Sequence, residues 1–398
     1  MSESTSSQLR IRFLGSITEV DAAAWNSLAP VGYPFMRHEF LLALEQTGAT
    51  SAASGWQPLH MLVESTDEAQ ALMALMPLYA KTNSMGEYVF DWSWADAYAR
   101  HGLEYYPKLL TAIPFTPCTG PRLCIAENCG VKNMQALVFA QLRTLAARID
   151  ASGWHLLFSE KSQAEEFVEQ GMLLRAGCQY QWFNDQYESF DDFLQSFSSR
   201  KRKNLKKERA QVAAQGIELQ QIEGADISAE QWRNFYRFYE STYMVRGRSP
   251  YLSEDFFLEI GRTMPENLML VLASHADTPV AGALYFKGND SLYGRYWGSD
   301  RDYPGLHFET CYYQGIEYAI RQGYKRIDSG AQGEHKIQRG FKPVTTWSTH
   351  WLKHPDFQRA VADFLREEAI HISEYQNRAA EYLPFRKDLH ELPTKGSG

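Results

Sequence analysis

Arg326-Ile-Asp-Ser-Gly-Ala-Gln-Gly-Glu-His-Lys-Ile-Gln-Arg-Gly-Phe341 is the stretch on which the reading of this 398-residue chain turns. A short strand signal, Arg326 to Asp328, enters a glycine-rich turn, and the turn empties into a charged segment closed by Arg339-Gly340-Phe341. Gly330 and Gly333 let the backbone adopt conformations closed to other residues. Asp328, Gln332, Glu334, His335, Lys336 and Arg339 crowd together here, more titratable and hydrogen-bonding groups than a connecting turn requires. The pattern predicts the wall of a site rather than a solvated strand-to-helix turn.

Outward from this stretch, the chain reads as mixed α/β with one order of elements appearing twice. In the first half Gln57 to Glu64 and Ala71 to Tyr79 are strand-like across the polar turn Ser65-Thr-Asp-Glu68, and Glu87 to Trp92 reads as a third strand. Asn133 to Ala151 shows helical periodicity through Leu137, Phe139, Leu142, Leu145 and Ile149, and the strand Trp154 to Phe158, the helix Gln163 to Gln170 and the strand Gly177 to Phe183 follow. The second half repeats this with strands Leu268–Ser274, Val280–Lys287 and Ser291–Trp297, a helix Phe308–Arg321, the strand at Arg326 and a closing strand Thr345–Leu352. Ser196 to Gly216, between the halves, is basic and helix-forming, and Pro355 to Leu383 reads as one or two helices stopped by Pro384.

Composition bounds the function. With 44% apolar and 14% aromatic residues the chain supplies large cores, and 398 residues exceed what one core usually supports. A net charge of −8 argues against a surface that coats DNA, while leaving room for a local basic groove. Five cysteines with no Cys-x-x-Cys pair fit a reducing cytoplasm, and Cys124 and Cys129 lack two further ligands for zinc, so no metal is expected. Met1 to Gln8 is polar with no apolar core of a signal peptide, and no apolar run is long enough to span a membrane. Neither a Gly-x-Ser-x-Gly elbow nor a Walker A sequence occurs, which argues against serine hydrolysis and ATP-driven ligation.

An antiparallel sheet feeding a long helix and then a buried strand resembles the GNAT acyltransferase fold, and two such units in tandem resemble the Fem family of aminoacyl-tRNA-dependent transferases. Ser198-Ser-Arg-Lys-Arg-Lys-Asn-Leu-Lys-Lys-Glu-Arg-Ala210 is similar to the basic Fem helix, Arg246-Gly-Arg-Ser-Pro-Tyr251 to the loop between two helices, and Lys336-x-x-Arg339-Gly-Phe341 to the Fem "F-K-K-G-F" element. Across nearly the whole chain the resemblance is closer to the FemAB-like proteins, carried by blocks such as Pro34-Phe-Met-Arg-His-Glu-Phe40, Gly294-Arg-Tyr-Trp-Gly298 and Gly330-Ala-Gln-Gly-Glu-His-Lys336. The resemblance implies an α/β (α+β) chain of two GNAT-like units, each a mostly antiparallel sheet flanked by helices. The expected division is 1–190, 191–354 with the basic helix at its start, and 355–398 as C-terminal helices and tail. One departure stands out. The loop Gly298-Ser-Asp-Arg-Asp-Tyr-Pro-Gly-Leu306 lacks the R/Q-x-x-G-x-G/A pattern that grips pyrophosphate, and Pro304 removes an amide from any such cradle, so no coenzyme A or other cofactor is expected.

Aminoacyl transfer to an amine requires a stabilised oxyanion and a group that takes the amine proton. Lys336 or Arg339 is expected to supply the first, and Glu334, His335 or Asp328 the second. For substrate contacts the reading names Gln332, His307, Glu309, Arg295, Tyr296, Arg246, Arg248 and Tyr251, and, in the first unit, Asp91 and Trp94; Glu309 alternatively complements the helix dipole. Arg200, Lys203 and Lys207 share a helical face that suits phosphates of tRNA or of a nucleotide-linked precursor. The expected activity is amide-forming aminoacyl or acyl transfer to a small-molecule or peptide acceptor, with aminoacyl-tRNA as donor. The alternatives are a coenzyme A- or carrier-thioester-dependent N-acyltransferase and a non-catalytic peptidoglycan- or nucleotide-recognition module.

Overall fold

Leu268–His275 and Thr278–Lys287 form a hairpin through a two-residue turn, Ala276 and Asp277, both in the left-handed region (φ 47° and 61°). Such turns match the right-handed twist of the flanking strands. The computed structural model describes residues 9–67, 71–331 and 333–386. Met1 to Gln8, Glu68 of the polar turn and Gln332 of the glycine-rich turn lie outside the described residues.

The chain divides into two units of discontinuous sequence rather than at 190/191 and 354/355. Unit 1 comprises Met1–Gly177, Tyr251–Thr263 and Thr345–Ile372; unit 2 comprises Cys178–Pro250, Met264–Val344 and Ser373–Gly398. In unit 2 the hairpin is flanked by Ile217–Glu223, antiparallel to Leu268–His275, and by Ser291–Ser299, antiparallel to Thr278–Lys287. Arg326–Asp328 runs parallel to Ser291–Ser299, and residues 181–183 add an antiparallel strand beyond it. In unit 1 Trp56–Pro58, Tyr79–Lys81, Lys108–Thr111 and Gly153–Ser159 form a sheet in that order, with Lys108–Thr111 parallel to Gly153–Ser159. Residues 347–352 close it. A second sheet of unit 1 joins Leu9–Leu14, His60–Ser65, Leu72–Met76 and Cys124–Ile125.

Each unit thus has the strand–helix–parallel-strand order of a GNAT-like fold, but each borrows its closing strand from the other half of the sequence. The strands expected to close their own halves, near Gly177 and Thr345, are exchanged. A second correction concerns Glu87 to Trp92, which is not a strand. Tyr88 takes φ 62° there, and the segment turns inward to bury Glu87 and Asp91 before the helix Trp92–Arg100 begins. The third strand is Lys108–Thr111 instead. Pro355–Glu381 is one helix.

Packing places the helices. In unit 1 Val131–Arg148 lays Phe139, Leu142 and Leu145 on a core with Trp154 and Phe167. In unit 2 the core gathers Trp182, Phe193, Tyr285, Tyr313, Ile316, Ile327 and Phe341. The helix Ala229–Met244 approaches the sheet closely over Gly298, where an added Cβ would lie 1.9 Å from the Phe238 carbonyl oxygen. Gly298→Ala is therefore expected to lower stability by about 1–3 kcal/mol through overpacking, read as a lower urea midpoint with an unchanged m-value.

Candidate active site

Ser291–Ser299 and Arg326–Asp328 stay parallel for only three pairs, Ser291↔Arg326, Leu292↔Ile327 and Tyr293↔Asp328. Beyond them one strand runs on to Ser299 while the other turns at Ser329, and the two part. Open sheets bind ligands at such places, beyond the carboxyl ends of parallel strands. A cavity of 120 Å³ fills the wedge, with Arg295, Trp297, His307, Cys311, Tyr312 and Ser329 among its walls. The helix above it opens at Leu306–Phe308 and passes through a π turn, Glu309–Tyr313, before Gln314–Gln322. π turns recur at functional sites because the wider ring re-aims side chains. Here the Tyr285 hydroxyl donates to the Thr310 carbonyl at 2.6 Å and holds the widened turn to the sheet.

The charged residues of the opening stretch build the turn itself. The Asp328 carboxylate accepts from the Gly330 amide (2.8 Å) and from Gln181 Nε2 (3.2 Å), with the Arg295 guanidinium 4.0 Å away. Gly330 has φ 79°, a conformation that strains other residues, and a Cβ there would lie 2.9 Å from the Arg295 guanidinium and push it aside. Lys336, 3% exposed, donates to the carbonyls of Ser329 and Gly330, both at 2.9 Å. Arg339 donates to Glu208 (2.6 Å) and to the His335 carbonyl (2.7 Å), and its guanidinium lies 3.3 Å above the centre of the Phe308 ring. Lys336 and Asp328 are thus the mould of the turn rather than free acid, base or oxyanion groups.

The groups placed for chemistry are neutral ones. His335 is exposed, its Nε2 2.8 Å from the Tyr312 hydroxyl, and its ring lies 5.9 Å from that of His307. His307 in turn meets Trp297 at 5.3 Å. Burial, with the charges of His335, Arg339 and Lys336, lowers His307 to about 4. Burial, with the charges of Lys336 and Arg339, lowers His335 as well. Both imidazoles are therefore neutral near pH 7 and able to take a proton. The Ser329 hydroxyl is buried and has no hydrogen-bond partner among the described residues, and Ser329 lines the cavity.

The other expected residues lie as follows. Arg295 and Tyr296 both border the wedge, Arg295 lying over Gly330 and the Tyr296 ring also packing on Tyr239 at 5.6 Å. Glu309 is buried against the basic helix, bidentate with Arg209 (3.0 and 2.7 Å) and bonded to Gln314 (2.9 Å), so its expected substrate contact gives way to an internal ion pair. Glu334 is exposed and accepts from the Tyr375 hydroxyl at 2.8 Å. Arg246 and Arg248 are exposed in the turn after Ala229–Met244. Tyr251 belongs to unit 1, stacked on Phe115 at 4.8 Å. Arg200, Lys203 and Lys207 are exposed on one face of the helix Ser199–Ala213. Ser329, Tyr312 and Cys311 were not expected. The only trace of Tyr312 in the sequence is its position five residues after His307, which one π turn brings to the same cavity.

Asp91 and Trp94 lie inside unit 1, in a buried ionic cluster. Lys108, fully buried, donates to Ser84 (2.8 Å), Glu87 (2.8 Å) and Asp91. Asp91 also accepts from Tyr105 (2.6 Å), whose oxygen lies 3.3 Å from His155 Nε2, and His155 Nδ1 is 2.9 Å from His350 Nδ1. The Trp94 ring stands edge-on to His350 at 5.0 Å. Burial drives Glu87 up to about 7 and Lys81 down to about 7, and burial with the Lys108 charge drives His155 down to about 3. Against its own burial, Asp91 is brought down to about 2 by Lys108 and His155.

Two predictions follow from these charges. Lys108→Met leaves two buried carboxylates uncompensated and is expected to cost about 3–5 kcal/mol in urea unfolding, with partial recovery in Lys108→Met/Asp91→Asn. The lowered histidines set the acid limb of stability. His307 and His155 stay neutral in the fold to about 4 and about 3, and His350 is held well below its ordinary value by burial and the His155 charge. The unfolded chain binds their protons near pH 6.5, so their contribution is full above that pH and is lost as pH falls through the folded values. Glu87, raised to about 7, acts in the opposite sense between 4.5 and 7, one group against the four lowered histidines, His335 included. The thermal midpoint is expected to fall between about pH 6 and 4, and less steeply in His307→Asn.

Over residues 16–387 the chain matches the model of the FemAB-like family, described as peptidoglycan biosynthesis/recognition. No curated protein matches it in sequence. Among solved structures it is similar to FemX, at 11% identity and a TM-score of 0.52, covering 89% of this chain and 100% of that one. It is also similar to a conserved protein of unknown function from Bacteroides thetaiotaomicron, at 10% identity and a TM-score of 0.50, covering 86% and 100%. At these identities the structures carry the fold alone. Among the described residues no helix is long and apolar enough to cross a membrane. With nearly its whole length matched by one family model, the chain belongs to the FemAB-like family.

Proposed function

We propose that the wedge of unit 2 is an acyl-transfer site that forms an amide between an aminoacyl donor and an amine-bearing, peptide or small-molecule acceptor in the cytoplasm. The observation that carries this reading is a pair of neutral imidazoles, His307 and His335, beside a small cavity edged by the unpartnered Ser329 hydroxyl. The family's description, peptidoglycan biosynthesis/recognition, is in keeping with an amine- or peptide-bearing acceptor. The acceptor amine attacks the donor's ester carbonyl, a C–N bond forms, and the carbonyl oxygen gains the charge. The Ser329 hydroxyl donates to that oxyanion. His335 takes the amine proton and returns it to the departing ribose oxygen as the C–O bond breaks. The exposed row Arg200, Lys203 and Lys207 gives a tRNA donor a phosphate track.

Transfer of radiolabelled amino acids from charged total tRNA to cell-extract acceptors tests this directly. A base-stable product is expected, reduced about 100-fold in His335→Ala and about 10-fold in Ser329→Ala, and weakened by added salt. Product from acyl-coenzyme A but not from tRNA would replace the donor with a thioester. Wild-type turnover in both variants would move the site elsewhere.

A further inference from the structure

The helix Ser199–Ala213 turns Leu205, Glu208, Arg209 and Val212 inward, the i, i+3, i+4, i+7 stripe that normally carries apolar residues. Leu205 and Val212 obey that rule and are buried. Glu208 and Arg209, both half-buried, break it, and charges drawn partly out of water seldom add stability over apolar packing. Their partners give the reason. Glu208 accepts from Arg339 at 2.6 Å and from the Tyr313 hydroxyl, while Arg209 holds Glu309 and Glu317. Glu309 and Tyr313 are the two ends of the π turn whose middle carries Cys311 and Tyr312 into the cavity. Arg339 in turn holds the His335 carbonyl and covers Phe308. Two successive residues thus grip both the turn that presents His335 and the turn that presents Tyr312.

We infer that Glu208 is a positioning residue: it fixes Arg339 and the π turn, sets the His335–Tyr312 pair, and joins the basic helix to the cavity. The inference rests on the wedge being the transfer site. The groups facing His335 are Tyr312, His307 and Phe308 from the long helix, and Lys336 and Arg339 from its own segment. Glu208 acts on it through Arg339. Without that carboxylate the Arg339 charge is no longer offset, and His335 becomes harder to protonate.

NMR titration of His335 in the full-length wild type, Glu208→Gln and Glu208→Asp decides the matter. The expected result is a midpoint lowered by about 0.5 pH unit in Glu208→Gln, with a smaller shift in Glu208→Asp, which keeps the charge. A residue that only packs would lower the thermal midpoint and leave His335 where it is, and that result overturns the inference. If Glu208→Gln does not fold, Glu208→Asp, which draws the carboxylate back from Arg339, must still lower the His335 midpoint; no movement overturns the inference. The titration needs no turnover. A shift seen in a protein that transfers nothing sinks the transfer reading and upholds the coupling.

Discussion

The parallel contact between Ser291–Ser299 and Arg326–Asp328 lasts three residue pairs, and the cavity exists because it stops there. Asp328 ends the strand by turning its carboxylate back to the Gly330 amide, so the next ladder bond is replaced by a side-chain cap. Continued pairing would carry the second strand into the space that Arg295, Trp297 and Ser329 now border, and the cavity would close. The glycine at 330 follows from the same constraint. Its backbone angle disfavours a side chain, and one added there would displace the guanidinium against it. The sheet, the turn and the helix that roofs them are three consequences of one early end to a strand.

Much of this was legible in the sequence. Apolar runs and helical spacing mark most of the strands and the long helix, because burial acts on every element locally. The exchange of closing strands was not legible. Trp347 pairs with Ser159 across a separation that leaves no local pattern, and nothing in Thr345–Leu352 says which half it completes. Glu87 to Trp92 is rich in aromatic and β-branched residues like a strand, yet its carboxylates answer to Lys108, some twenty residues on in sequence. The density of polar groups from Asp328 to Arg339 draws attention to the turn after the strand, of which Ser329 lines the cavity, but residue type alone does not separate the charges that shape a turn from the groups that face a cavity. Glu208 is hidden for a related reason: one acid inside a run of cations reads as solvated, and its meaning depends on a helix register and on Arg339.

The division of labour within the turn has an energetic basis. Lys336 makes two charge-assisted bonds to carbonyls while 97% buried, each worth about 1.5–3 kcal/mol. Drawing the ammonium towards a substrate would break both and strand the carbonyls, so the lysine is costly to use as a moving part. The same position makes it effective as a fixed charge. Together with Arg339 it adds to the burial that lowers both His307 and His335, so the cations that hold the turn reinforce the burial that keeps these imidazoles unprotonated. A site that must accept a proton from an ammonium-forming reaction needs a base that is empty at the start. Under the proposed reading the scaffold supplies that condition through burial and fixed charge, and no carboxylate is among the described residues that line the cavity.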